Sequence, residues 1–120
     1  DVPLVYHCGS SNHHASIDRT GLDPRDRNGI MCSIFRHDDP MHRNKFMQAY
    51  DSVGNQNNKR DMIYEISVKA IRDIGLSIFV SPQGIIEIPG VLFMQTTLER
   101  AIRYVKPTAS YWAGGTFYPM

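Results

Sequence analysis

Apolar residues recur along this chain with two different periods. "MIYEISV" over 62–68 sets Ile63, Glu65 and Ser67 against Met62, Tyr64, Ile66 and Val68, the alternation of a β-strand. "PLVYHCG" (3–9) reads as a strand because Leu4, Val5 and Tyr6 are strand formers and Gly9 ends the run. "IMCSIF" (30–35), "SIFVS" and "GIIEI" around "PQG", and "VLFMQ" (91–95) are further strand candidates. Helical spacing marks the rest. In "SNHHASIDRTG", Ser11 or Asn12 is a candidate N-cap and Gly21 a stop, with Ile17 turned inward. "NKFMQAYDSV" (44–53) carries Phe46, Met47 and Tyr50 on one stripe, and "KAIRDIG" makes a short helical turn. "TTLERAIRYV" has Thr96 and Glu99 at capping-box spacing, with Leu98, Ile102 and Val105 able to form a buried helical face. Strands dominate and short helices interrupt them, which predicts an α+β fold.

The chain has 120 residues, 42% hydrophobic and 21% charged, the size and balance of one domain burying about two-thirds of its unfolded surface. No apolar run approaches the roughly 20 residues of a membrane-spanning helix, so no membrane partner is expected. A secretory leader pattern is also missing, which points to an intracellular, cytoplasmic location. The start at Asp1 rather than Met reads as a processed or excised piece. Net charge is +1, and residues 13–45 balance six Lys/Arg against five Asp. RNA thus remains a candidate partner only without the basic patch of a general nucleic-acid binder.

Candidate chemistry gathers in the first third. Cys8 and Cys32 read as reduced, packed thiols, or as one bridge if their strands pair. His13 and His14 point about 100° apart on a helix, so they read as helix surface rather than a joint metal site. "HDDPMH" offers His37, Asp38, Asp39 and His42, but Pro40 breaks the helix that would align them, and no zinc spacing is matched, so no metal is assigned. His7 on its own reads as a strand-end histidine bonded to backbone, and Arg27, beside Asp26 and near Asp23, as a solvated turn residue.

Taken together, "LVYHCGSS", Ile17, "GLDPRDR" and "IMCS" resemble, in order and spacing, the NAD-binding lobe of the RNA 2′-phosphotransferases. "MIYEISVKAIRDIGLSIFVSPQGIIEIPGVL" is similar to that family's later strand, short helix and glycine-containing strand, so the likeness spans about residues 4–92. It implies a split two-sheet ADP-ribosyltransferase-like domain with short helices, in which two small sheets grip NAD as cofactor. The implied reaction is attack of an RNA 2′-phosphate on the nicotinamide-bearing ribose carbon. Carried over by position, His7, Gly9, Ser33 and Ile85 contact the cofactor and Arg27 handles phosphate. Glu87, two positions beyond Ile85 and so on the same strand face, stands on a strand comparable with the one that carries a catalytic glutamate in related transferases.

The departures change the functional expectation. Cys8 and Gly9 stand where the family has glycine-threonine, and Gly29 and Met31 where it has a histidine pair. Groups that act as a unit lose much of their effect when several are gone. The resemblance therefore implies a diverged domain of low or no activity, kept as a binding or structural module within a larger assembly or precursor. The alternative is an active NAD-dependent transferase moving ADP-ribose onto an RNA phosphate or another acceptor. Residues 1–106 would form the domain and 107–120 an aromatic tail. There Tyr111, Trp112, Phe117 and Tyr118, set among Gly and Pro, are expected to pack on other protein chains rather than stay solvated.

Overall fold

The computed structural model describes residues 2–24, 29–36, 38–41, 60–82, 85–105 and 116–119. Seven strands alternate with short helices: β1 (Leu4–Gly9), a 3-10 turn (Ser11–His13), α1 (His14–Thr20), β2 (Ile30–Ser33), β3 (Met62–Ser67), α2 (Val68–Asp73), β4 (Phe79–Val80), β5 (Ile85–Ile88), α3 (Met94–Thr97), β6 (Leu98–Val105) and β7 (Thr116–Pro119). The strands form one sheet in the order β4-β5-β2-β1-β3-β6-β7, and every neighbouring pair is antiparallel. The α+β expectation matches this arrangement.

β3 explains why the sheet holds. Met62, Tyr64 and Ile66 join Val5, Ile30, Ile71 and Ile88 in the larger core, while Ile63 turns to the opposite face with Ile102 and Tyr104. Burial on both faces suits a strand lying between β1 and β6. The polar member of the outward set, Glu65, is 4% exposed. It is matched by Arg100 on β6, whose Nε and Nη2 donate to its two carboxylate oxygens at 3.0 and 3.1 Å, the bidentate geometry in which a buried carboxylate is tolerated. Ser67 then ends the strand and caps α2, its Oγ accepting from the Ala70 N–H at 3.1 Å.

Two expectations need correction at the level of elements. Residues 98–105 form strand β6 and not a helix. Leu98, Ile102 and Val105 do satisfy helical spacing, but the free edge of β3 offers this segment a ladder of backbone bonds, and Ile102, Tyr104 and Val105 are strand-favouring types. Ile66 pairs with Leu98 while Glu65 pairs with Arg100. Glu99 is thus an extra residue, a bulge that turns Leu98 to the larger core and Ile102 to the smaller one. The strand expected over 91–95 reduces to one bridge, Leu22↔Leu92, followed by α3, where Thr97 Oγ1 donates to the Phe93 carbonyl at 2.8 Å. The helix expected over 44–53 lies outside the described residues.

The tail differs too. β7 pairs with β6, Tyr104 opposite Phe117 and Arg103 opposite Tyr118, and the Phe117 ring packs on Tyr104 at 4.9 Å between centroids. Phe117 therefore covers its own sheet, because Tyr104 and Ile102 provide an apolar surface within the chain. Tyr118 stays 52% exposed; Tyr111 and Trp112 lie outside the described residues. The expected division into two sheets is also altered. β1 meets β3 along six pairs from Leu4↔Ser67 to Gly9↔Met62, yet it meets β2 at Tyr6↔Ser33 alone. One sheet results, narrowed to a thin seam at β1/β2. Among the described residues, no helix is long and apolar enough to cross a membrane.

Candidate functional site: a cleft at the β1/β2 seam

Beyond Tyr6↔Ser33 the two strands separate, and His7 fills the point of divergence. Its Nδ1 lies 2.7 Å from the Met31 carbonyl oxygen. A carbonyl can only accept, so Nδ1 carries the proton and donates, which sets the tautomer of the neutral ring and leaves Nε2 as its acceptor atom. On the next registered pair the His7 ring lies over Tyr64, with centroids 6.4 Å apart and planes inclined by 29°. Tyr64 is fully buried. Burial, with Asp18 and Asp61 nearby, raises its phenol above the ordinary range, so it is neutral.

The gap between the separating strands is a cleft of about 510 Å³, within the roughly 300–1,000 Å³ of small-molecule sites. One wall is the end of β1, with His7, Gly9 and Ser10; the facing wall includes Gly29 and Met31. The roof is α1, which presents Ser16, Ile17 and Thr20, positions i, i+1 and i+4 of the helix, with His13 of the preceding 3-10 turn beside them. Ile17 packs toward the core, so the polar members of that group border the opening. Helix α1 ends where Gly21 adopts φ 89° and its N–H bonds the Ile17 carbonyl at 2.7 Å. A Cβ there would stand 2.8 Å from the Leu92 oxygen, so glycine permits both the turn and the close approach. The second helix tie is His14, whose Nδ1 lies 2.9 Å from the Tyr64 hydroxyl and whose ring stacks on Tyr64 at 5.8 Å.

Of the residues expected at the site, His7 and Gly9 line the cleft. Ser33 and Ile85 are not among its lining residues. Cys32 and Ile86 are the core-facing residues of β2 and β5, so by strand alternation Ser33 and Ile85 face the other side. Ile85 is 43% exposed, and Ser33 Oγ accepts from the Phe35 N–H at 3.0 Å to shape the turn after β2. Glu87, paired with Met31, is half-buried and is not among the residues lining the cleft; its Cγ would stand 2.7 Å from a Cβ added at Gly29. Arg27 lies outside the described residues. Several cleft residues were not anticipated: His13, Ser16 and Thr20 stand beside Ile17, and His14 is a buried-hydroxyl partner rather than helix surface.

The thiols are apart from this chemistry. Cys32 sits in the larger core and Cys8 against the smaller one, on opposite faces of the sheet, so no bridge forms even though their strands pair. Burial pushes both thiols up to about 12, which keeps them protonated and poor nucleophiles. For a nucleotide, the fit is as follows. The cleft supplies ring surface and an oriented imidazole at His7, hydroxyls at Ser10, Ser16 and Thr20, and unobstructed backbone at Gly9, where even an added Cβ would touch Tyr64 only at an ordinary 3.6 Å. These groups suit a ribose and an uncharged base. In comparison with known proteins, no family model matches the chain and no curated protein matches it significantly.

Proposed function

We propose that the chain is a diverged ADP-ribosyltransferase-like domain, similar to the RNA 2′-phosphotransferases, whose seam cleft takes NAD and whose phosphate-removing activity is weak or lost. The observation that carries this reading is His7 at the point where β1 and β2 part, with its tautomer set by Met31 and the cleft opening beside Gly9. That is where the resemblance expects the histidine that contacts NAD. When bound, NAD supplies the electrophilic ribose carbon; His7, Gly9 and the α1 hydroxyls hold and orient it. Weak turnover follows from Gly29 and Met31. Neither can offer an imidazole to the phosphate, and the space beside Gly29 is taken by Glu87 Cγ and the Ile88 carbonyl, 2.7 and 2.9 Å from any Cβ. The domain then serves by binding, within a larger assembly.

Calorimetric titration with NAD tests this. His7→Ala removes an oriented ring and a hydrogen-bonding atom, and binding should weaken about tenfold, or ~1.4 kcal/mol. A wild-type chain that takes up no NAD at millimolar concentration refutes the reading. The closeness of Glu87 to Gly29, which lines the cleft, supports a second one, an active transferase in which this carboxylate orients a ribose hydroxyl and Arg27 offsets phosphate charge. It requires NAD-dependent loss of a 2′-phosphate from RNA, or transfer to another acceptor, that falls by at least a hundredfold in Glu87→Gln.

A further inference from the structure

The cleft wall formed by residues 9–13 is tied from behind to a residue fifty positions away. Asp61, immediately before β3, is 9% exposed. Both of its carboxylate oxygens accept from one residue: the Ser11 N–H donates to Oδ1 at 2.8 Å and the Ser11 hydroxyl to Oδ2 at 2.7 Å. The carboxylate is itself held in place, since the Asp61 carbonyl accepts from the Tyr104 N–H on β6 at 2.7 Å and Arg103 Nε stands 3.8 Å from Oδ2. Ser11 opens the 3-10 turn, and the residues on either side of it, Gly9, Ser10 and His13, line the cleft. None of the three touches the carboxylate in these bonds, so Asp61 acts on the cleft only through Ser11.

We propose that Asp61 is a positioning residue for the cleft: its paired bonds to Ser11 fix the β1–α1 turn so that Gly9, Ser10 and His13 face the bound ligand. This rests on the reading of the cleft as the binding site. The chemistry suits a carboxylate. An amide N–H and a hydroxyl converge from one residue, and the two oxygens receive both together. Bonds to a charged acceptor are also the stronger kind, as a tether holding a short turn against its own conformational freedom needs. Asp61→Asn can keep both contacts in weaker, neutral form, its oxygen accepting the Ser11 N–H and its NH2 donating to the Ser11 hydroxyl. Asp61→Ala removes both bonds.

The test uses the full chain as wild type, Asp61→Ala, Ser11→Ala and the double variant, with two readouts: amide hydrogen exchange and titration with NAD. In Asp61→Ala, exchange at Ser11, Asn12 and His13 should speed at least tenfold while amides of Ile63 and Ile66 in β3 keep their rates, and NAD should bind at least fivefold more weakly. The double variant should lose no more than the more severe single one, because both act on the same pair of bonds. Uniform acceleration that includes β3 would overturn the proposal, as would unchanged exchange at Ser11 or a loosened turn with unchanged NAD affinity. Should Asp61→Ala fold poorly, Ser11→Ala, which leaves the Asp61–Arg103 contact in place, makes the same comparison. Absence of NAD binding to wild type would refute the proposed function, and the exchange pattern would still decide whether Asp61 holds the wall.

Discussion

Restoring the histidine that the resemblance expects at position 29 should damage this protein rather than revive it. Gly29 is buried where β2 begins, and a Cβ built on it stands 2.7 Å from Glu87 Cγ, 2.9 Å from the Ile88 oxygen and 3.0 Å from the Ile88 carbonyl carbon. The first neighbour is the middle of a side chain and can rotate. The other two are backbone of β5, paired to β2 in the register Ile30↔Ile88, and cannot move without lengthening that ladder. Overpacking of this kind costs about 1–3 kcal/mol. At about 3–5 °C per kcal/mol for a chain of this size, Gly29→Ala should lower Tm by roughly 3–15 °C, and Gly29→His by more. Adding Glu87→Ala to Gly29→Ala removes the movable neighbour, so the pair should recover part of the loss while the Ile88 carbonyl keeps the rest. Thermal melts followed by circular dichroism, with urea titration as a second measure, decide the matter. A Gly29→Ala chain within 1–2 °C of wild type would refute the argument, since the β2/β5 edge would then be yielding freely. Substitution at 29 is thus a poor route to regained activity.

Two other outcomes are expected from the same structure. Phe117→Ala removes the ring that covers Tyr104, and truncation after Val105 removes β7 altogether; the first should cost about 1.5–3 kcal/mol by denaturant unfolding, the second at least as much, and an unchanged midpoint in either would show that β7 contributes nothing to the sheet. The two thiols, raised from 9.0 to about 12, stay protonated in the folded state above the pH at which they ionise in the unfolded chain. The folded state then binds more protons, so stability contributed below about pH 9 is lost as pH rises toward 12, by up to about 1.4 kcal/mol per pH unit for each thiol. Replacing both cysteines by Ala should flatten the alkaline limb of a stability–pH curve, and in the wild type the buried Cys32 should react with a thiol reagent at pH 8 only as fast as the protein opens.

Local pattern carried much of this architecture. Alternation over Met62–Ser67 and the apolar run closed by Gly9 specify strands wherever they lie, because period-two side chains separate onto two faces regardless of partner. Ser67 and Gly21 likewise mark helix ends through bonds within a few residues. His7 and Gly9 could be singled out from their place at the end of a strand. What the chain could not reveal alone was which surface each strand would meet. Leu98, Ile102 and Val105 fit a helix until β3 offers an edge to pair with, and the extra residue at Glu99 then sends Leu98 and Ile102 to opposite cores. Which face Ile85 and Ser33 take is settled only when Cys32 and Ile86 occupy the core-facing positions, a choice that depends on what packs below the sheet. The packing of Phe117 on Tyr104 likewise needs β6 and β7 to pair. The tie of Asp61 to Ser11 spans fifty positions and has no local signature at all: two short polar side chains become partners only after β1 and β3 have zipped from Leu4↔Ser67 to Gly9↔Met62, bringing the start of one strand beside the end of the other.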